Sequence, residues 1–442
     1  MLDIFNFYRK NHDYSVRLVW EWHVLVHICK RWRRVIFGSP YRLHLQILCT
    51  DRTPVQKNLD IWPAFPIAVA SEFLGGNGPK GVGNVNAALG HPDRVCYVKL
   101  GATDSQLAKV VTVMQKPFPV LMRLGIMFWE GGWKDAHLPA EFLGGLAPCL
   151  QEINLNGVHF PALPSLLLSA SDLVTLTLRS AFHADYVSSE AMIVGLAALT
   201  RLETLTIGIT SALRPDPMIR PPPETRVVLP ALTSFTFEGA YNLLEGFVAQ
   251  IHSPQLDRIR VNYLNGRPDI PELPVAQLSK FVDRSMGPKF RHSRVGFVGS
   301  FIGSFMSFSI YCHANHSYSD WRSSRTIISC DRIRVPYVTH TLGRFSATLA
   351  TVVHLELVQL GEARKLENAD EVEWLHLLKQ FPATQTLFIS WELAGFVSLA
   401  LERIKGEIVA DMLPSLDLIC LEDQQGSSVH NSSPLAGSLI AL

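Results

Sequence analysis

The sequence predicts an α/β protein: a short helical module followed by a solenoid of parallel strands joined by helical or irregular returns. Three observations carry that fold class. A six-residue pattern, apolar at its first, fourth and sixth positions, begins at Val95, Leu121, Leu150, Leu173, Leu202, Leu232 and Leu256. Those starts are 26, 29, 23, 29, 30 and 24 residues apart, the spacing of a unit that builds one strand and one return before repeating. Ahead of the repeats, WHVLVHICKRWRRVIFGSP at residues 22–40 is turn-bounded and amphipathic, with helical rather than strand periodicity. With 442 residues, 48% of them hydrophobic, the chain has the apolar material for a large core, and stacking frees it from the three-globule division that length alone implies.

The first element in order is that helix. On a wheel of about 3.6 residues per turn, Trp22, Leu25, Val26, Cys29, Trp32 and Ile36 form one stripe. His23, His27, Lys30, Arg31 and Arg34 take the other face, and Arg33 alone departs from the pattern. Gly38 and Pro40 stop it, because glycine accepts the left-handed C′ geometry and proline lacks the next donor. The strands follow as VCYVKL (Val95–Leu100), LMRLGI (Leu121–Ile126), LQEINL (Leu150–Leu155), LVTLTL (Leu173–Leu178), LETLTI (Leu202–Ile207), LTSFTF (Leu232–Phe237) and LDRIRV (Leu256–Val261). Alternation turns their fourth and sixth positions into a common core that one unit cannot bury alone, as in leucine-rich repeats. After an irregular stretch the pattern resumes as VVHLEL (Val352–Leu357), TQTLFI (Thr384–Ile389) and LPSLDL (Leu413–Leu418). Helical returns are read at Glu190–Leu199, Tyr241–Ile251 and Asp370–Phe381, the last with acids in its first turn. The proline-rich Arg214–Glu224 reads as a loop.

Charge narrows the partners. Forty basic residues against thirty-nine acidic ones give a net charge of +1, which argues against nucleic acid or a membrane surface as the binding partner; the KRWRR run at Lys30–Arg34 is local. The seven cysteines, at 29, 49, 96, 149, 312, 330 and 420, include no C-x-x-C pair and fit buried thiols in a reducing compartment. Asp3, Arg9, Lys10 and Asp13 interrupt any secretory apolar run, so the expected location is cytoplasmic, nuclear or both. Residues 295–312 run eighteen positions without a charge and carry a G-x-x-x-G at Gly299 and Gly303. Between a membrane-spanning helix and a buried strand-and-loop stretch, their four serines and three glycines favour the second.

Motifs for chemistry are weak. GNGPKG at Gly76–Gly81 matches G-x-G-x-x-G, but Pro79 interrupts the helix start that a phosphate-binding turn needs, and a loop is expected. Cys312, His313, His316 and Cys330 carry metal-capable atoms without the two tight pairs of a structural zinc site. DEVE at Asp370–Glu373 is read as a helix N-terminus. No catalytic residue, cofactor or metal ligand is therefore predicted.

The outward strand positions are polar: Glu152, Asn154 and Asn156; Thr175, Thr177 and Arg179; Thr204 and Thr206; Ser234, Thr236 and Glu238; Arg258, Arg260 and Asn262. That composition suits recognition of a protein surface better than catalysis, the plain alternative being a solvated sheet face. Glu152, Asn154, Thr175, Arg179, Thr204, Glu238, Arg258 and Arg260 are the candidate partner-binding residues.

A resemblance adds to this reading. LDIFNFYRK at Leu2–Lys10, with Trp22, Leu25, Val26, Cys29, Lys30, Arg31 and Trp32, resembles the F-box module. The following Ser39–Ile67 and the later Leu401–Glu422 are similar to a large fungal, chiefly basidiomycete, group of F-box proteins with leucine-rich repeats. The module as it stands opens at Met1-Leu2-Asp3 without the usual Leu-Pro-acid turn, which implies a shortened F-box. The resemblance implies a substrate receptor of a Skp/cullin/F-box ubiquitin ligase, itself non-catalytic. Leu2, Ile4, Phe5, Trp22, Leu25, Val26, Cys29 and Trp32 would hold a Skp-type adaptor, and the repeats an unknown protein substrate. It also implies a division into an F-box-like module at 1–45, a connecting segment at 46–90, the repeats at 91–422 and a tail at 423–442. The rival reading, from another class, is a leucine-rich-repeat interaction scaffold without a ligase role; a hydrolase or nucleotide enzyme ranks third.

Overall fold

The computed structural model describes residues 27–38, 46–52, 54–61, 64–71, 78–128, 136–179, 189–209, 226–263, 275–286, 292–299, 306–313, 326–331, 335–360, 371–402, 413–421 and 439–441. They fall into two units, Met1–Thr204 and Leu205–Leu442.

The first unit contains α1 (Lys30–Gly38), β1 (Ile47–Cys49), α2 (Val55–Ile61), β2 (Ile67–Ser71), α3 (Gly78–Leu89), β3 (Val95–Ala102), α4 (Asp104–Val113) and β4 (Arg123–Phe128). It continues through β5 (Ala136–His137), β6 (Glu152–Asn156), β7 (Val158–His159), α5 (Leu163–Ser169), β8 (Thr175–Arg179) and α6 (Ser189–Ala197). Strands β1, β2, β3, β4, β6 and β8 are successive parallel neighbours; β5 and β7 make a separate small parallel pair. In the second unit the strands are β9 (Thr204–Gly208), β10 (Val227–Val228), β11 (Ser234–Gly239), β12 (Ile251–His252), β13 (Arg258–Tyr263), β14 (His292–Gly299) and β15 (Met306–His313). They end with β16 (Thr326–Asp331), β17 (His354–Leu360), β18 (Thr386–Ile389), β19 (Leu418–Leu421) and β20 (Leu439–Ala441). Its helices are α7 (Tyr241–Gln250), α8 (Ala276–Met286), α9 (Val335–Gly343), α10 (Ser346–Leu349), α11 (Glu371–Leu378) and α12 (Trp391–Glu402).

The pattern is the physical repeat. Its first, fourth and sixth residues are buried in every instance from Val95 to Ile389, Leu256 being the most accessible of them at 5%. The backbone repeats with it. The first-position N–H donates to the carbonyl three residues earlier at Leu121, Leu150, Leu173, Leu202, Leu232, Leu256, Val352 and Thr384. The next two N–H groups share one carbonyl, that of the residue just before the preceding strand: Gln151 and Glu152 on Met122, Val174 and Thr175 on Gln151, Gln385 and Thr386 on Val353. Each buried turn thus satisfies its polar backbone in the same way, and the expected helical returns form as α6, α7 and α11.

Three expectations change. The last repeat is shifted by three residues: Leu418, not Ser415, pairs with Thr386, and Leu416 donates to Leu413, so the unit is Leu416–Leu421. The segment 46–90 supplies β1 and β2 to the ladder. Both are buried at every position and apolar apart from Ser71, as strands covered on both faces are, and so lack the alternating signature. Pro79 does not interrupt a helix; α3 begins at Gly78 because proline in the first turn loses no intrahelical bond. Within residues 295–312, the described parts form the antiparallel β14–β15 pair, and among the described residues no helix is long and apolar enough to cross a membrane. Arg214–Glu224 lies outside the described residues.

Candidate functional site

Strand alternation assembles the polar outward positions into rows. In the first unit one row runs Tyr97, Arg123, Glu152, Thr175; the next runs Lys99, Gly125, Asn154, Thr177; a third runs Met127, Asn156, Arg179. Between them lie the fully buried Ile153, Leu155, Leu176 and Leu178. Asn154 and Arg179 are exposed, and Glu152, Thr175, Thr177 and Thr204 half-buried. Thr206 departs from the expected outward position and is buried, at 8% exposure. Arg123 Nε stands 3.7 Å from Glu152 Oε2, a partly exposed pair of small energetic weight. Gly157 ends β6 at φ +71, where a Cβ would meet Phe128 Cβ at 3.1 Å. Its N–H donates to the Arg179 carbonyl at 2.8 Å, fixing the strand end that carries Arg179.

The second unit repeats the design. Ser234 pairs with Arg258, Thr236 with Arg260 and Glu238 with Asn262, above buried Phe235, Phe237, Ile259 and Val261. Arg258 is exposed, while Arg260 and Glu238 are half-buried. The Arg260 row continues through Ile327, Tyr311 and Arg294 to Glu356, where Arg294 Nε donates to Glu356 Oε2. One row along, the His292 and His354 rings stack with centroids 4.4 Å apart.

Of the expected adaptor residues, Leu2, Ile4, Phe5, Trp22, Leu25 and Val26 lie outside the described residues. Cys29 is exposed and Trp32 half-buried at the start of α1; the Trp32 N–H donates to Cys29 Sγ at 3.5 Å. The helix stops at Gly38 as expected but begins only at Lys30, residues 27–28 forming a turn ahead of Cys29 where the wheel predicted helix. Its described ring contact is Phe37 on Phe65, at 5.7 Å, a residue the apolar stripe did not include.

Other features are structural. Glu245 on α7 accepts the Gln277 and Leu278 N–H groups at the start of α8, at 2.6 and 2.9 Å. Burial raises its pKa above the ordinary carboxylate value, against those two bonds and Lys280. Arg284 donates to the Val248 and Ile251 carbonyls at 2.7 and 2.9 Å and lies over the Phe281 ring; burial lowers its pKa. Burial pushes the Cys49 and Cys96 thiols up to about 11, away from nucleophilic chemistry. A cleft of about 520 Å³ between α9 and α11 is lined by Thr339, His340, Arg344, Glu373, His376 and Lys379. Cys312 pairs with Thr326 and Cys330 with Phe308, four register steps apart, so that sequence cluster does not converge; His316 lies outside the described residues. Among the described residues no three or more His, Cys, Asp or Glu side chains gather to hold a metal ion.

Sequence reasoning missed Lys99 and Arg123, although both sit at outward positions of quoted patterns. Arg294, His292 and Glu356 needed the long-range register of β14 with β17.

No protein-family model matches the chain, and no curated protein matches it. Among solved structures it is similar to the leucine-rich repeat-containing protein LegL7 from Legionella pneumophila, at 12% identity over 75% of this chain and 93% of that one, with a TM-score of 0.29. It is also similar to a TLR13–ssRNA13 complex, at 12% identity over 85% of this chain and 45% of that one, with a TM-score of 0.32. The leucine-rich-repeat-like character of this chain rests on its own register, burial and turn hydrogen bonds.

Proposed function

We propose that the chain is a protein-interaction scaffold whose polar strand face holds a partner protein. The observation that carries this reading is the set of in-register polar rows, Glu152–Thr175, Asn154–Thr177 and Asn156–Arg179, held over a leucine core that fixes their spacing. A rigid sheet presenting polar side chains at regular intervals supplies complementarity without catalytic geometry. A photo-crosslinking residue at Thr177 should capture a partner, whereas one at Leu168, exposed on α5, should not. Equal capture from both positions, or none from Thr177, rejects the reading.

A second reading makes the scaffold a ligase receptor, with a Skp-type adaptor on the N-terminal helices and a cullin beyond it. It is supported by α1, which covers the end of the F-box-like pattern and carries Trp32 half-buried, with Cys29 exposed just before it. The chain should then co-migrate with a fungal Skp-type adaptor, and Trp32→Ala with Leu25→Ala should abolish the complex, since buried aromatic and leucine anchors dominate such interfaces. Co-migration unchanged in the double variant removes this reading and leaves the scaffold intact.

A further inference from the structure

Resting on the scaffold reading, we propose that the partner held by the first unit's polar face is an acidic segment of a protein, recognised through Lys99 and Arg179. The outward positions of β3, β4, β6 and β8 carry three cations, Lys99, Arg123 and Arg179, and one carboxylate, Glu152. Glu152 is already matched, since Arg123 Nε stands 3.7 Å from its Oε2. Among the described residues Lys99 and Arg179 make no ion pair. The Lys99 row continues through Gly125, Asn154 and Thr177, and the Arg179 row runs back through Asn156 and Met127. No ionisable group therefore stands between the two cations in either row.

Their setting suits an extended peptide. Arg179 is exposed and Lys99 half-buried, and the Gly157 N–H donates to the Arg179 carbonyl at 2.8 Å, which fixes the base of that side chain. A Cβ at Gly125 would lie 3.5 Å from Lys99 Cγ, so the lysine stem rests beside a position that adds no side chain of its own. The exposed Asn154 offers both a donor and an acceptor to a peptide backbone. Strand β8 follows β3 in the ladder after β4 and β6, a span of roughly 14 Å at the usual strand spacing, which an extended chain covers in about four residues. Two carboxylates at that separation match the two cations, Arg179 by a bidentate fork. A nucleic-acid strand needs instead a continuous basic track with stacking aromatics, and the described rows contain one aromatic, Tyr97.

The test places a photo-crosslinking residue at Thr177 of the full chain and offers fluorescent Gly/Ser peptides with two glutamates, or two glutamines, about four residues apart, beside oligouridylate. At subsaturating peptide the glutamate probe should crosslink. Its yield should fall at least about tenfold in Lys99→Glu/Arg179→Glu, where two attractions become repulsions, and it should fall with added salt. Arg201→Glu, outside the rows and paired with Asp172 at 2.9 Å, should leave the yield unchanged. Thermal melting checks that the double variant folds; if it does not, Lys99→Gln/Arg179→Gln decides. Equal yields from the glutamate and glutamine peptides, oligouridylate labelling as strong as that of the glutamate peptide, or an equal loss in Arg201→Glu overturns the proposal. The two readings fail separately. A cellular partner captured at Thr177 equally well by the double variant removes the acidic segment and leaves the scaffold standing, whereas no capture at Thr177 from any source removes both.

Discussion

Leu176 and Thr177 are neighbours in sequence with opposite surroundings: the first has no solvent exposure, the second stands half-buried in the Asn154 row. Truncating Leu176 or Leu205 to alanine should therefore cost about 2–5 kcal/mol through the cavity left behind. Reversing Arg179 or Arg260 to glutamate should shift stability by no more than about 0.5 kcal/mol. Thermal melting of the four variants checks this, and arginine reversals as damaging as the leucine truncations would mean the faces are misassigned. Such faces are legible in sequence because strand alternation is local. The Glu245 cap is not, since its partners lie 32 and 33 residues away. Its pKa is raised in the folded chain, so between the unfolded and folded values the native state binds more protons than the unfolded one, and stability falls as pH rises through that window. The stability of the wild type relative to Glu245→Gln should accordingly decrease from pH 4 upward and level off above the folded pKa, as read by urea unfolding across a pH series. A relative stability that grows with pH would reverse the sign.

Elements were legible where one face is buried and the other polar. Strands β4, β6, β8, β11, β13, β17 and β18 obey that rule, and the sequence pattern finds all of them. Strands β1 and β2 escaped because burial on both sides erases the alternation; the charge-free run at 295–312 read as strand and loop, but its antiparallel β14–β15 pairing did not, because glycine, serine and phenylalanine there carry no repeat. The polar rows were readable as faces; the His292–His354 stack was not, since nothing in either strand alone records its neighbour. Helix junctions show the same dependence on distant groups. Arg284 of α8 supplies the donor for two carbonyls at the end of α7, groups a helix terminus cannot satisfy within itself. Arg284→Ala should destabilise the chain by about 1–3 kcal/mol in urea unfolding. A variant as stable as the wild type would show those carbonyls to be satisfied otherwise.

For the molecule as a whole, cysteine chemistry tests the compartment and the packing together. Cys29 and Cys149 are exposed free thiols, whereas Cys49 and Cys96 are buried free thiols. In the native chain a maleimide should modify the first pair rapidly and the second only after unfolding. All seven cysteines should react in denaturant without reductant, as mass spectrometry will count; a protected pair would reveal a disulfide. The strand order of the second unit bears on how the chain is made. Strand β13 is flanked by β11 and β16, while β14 is flanked by β15 and β17. A chain leaving the ribosome therefore completes β14 before either of its partners exists, and β13 keeps an open edge until Asp331 has emerged. At about 5–20 residues per second that interval lasts on the order of ten seconds. An uncovered strand edge is a template for pairing with other chains, and the charges of Arg258 and Arg260 on β13 guard it until β16 arrives.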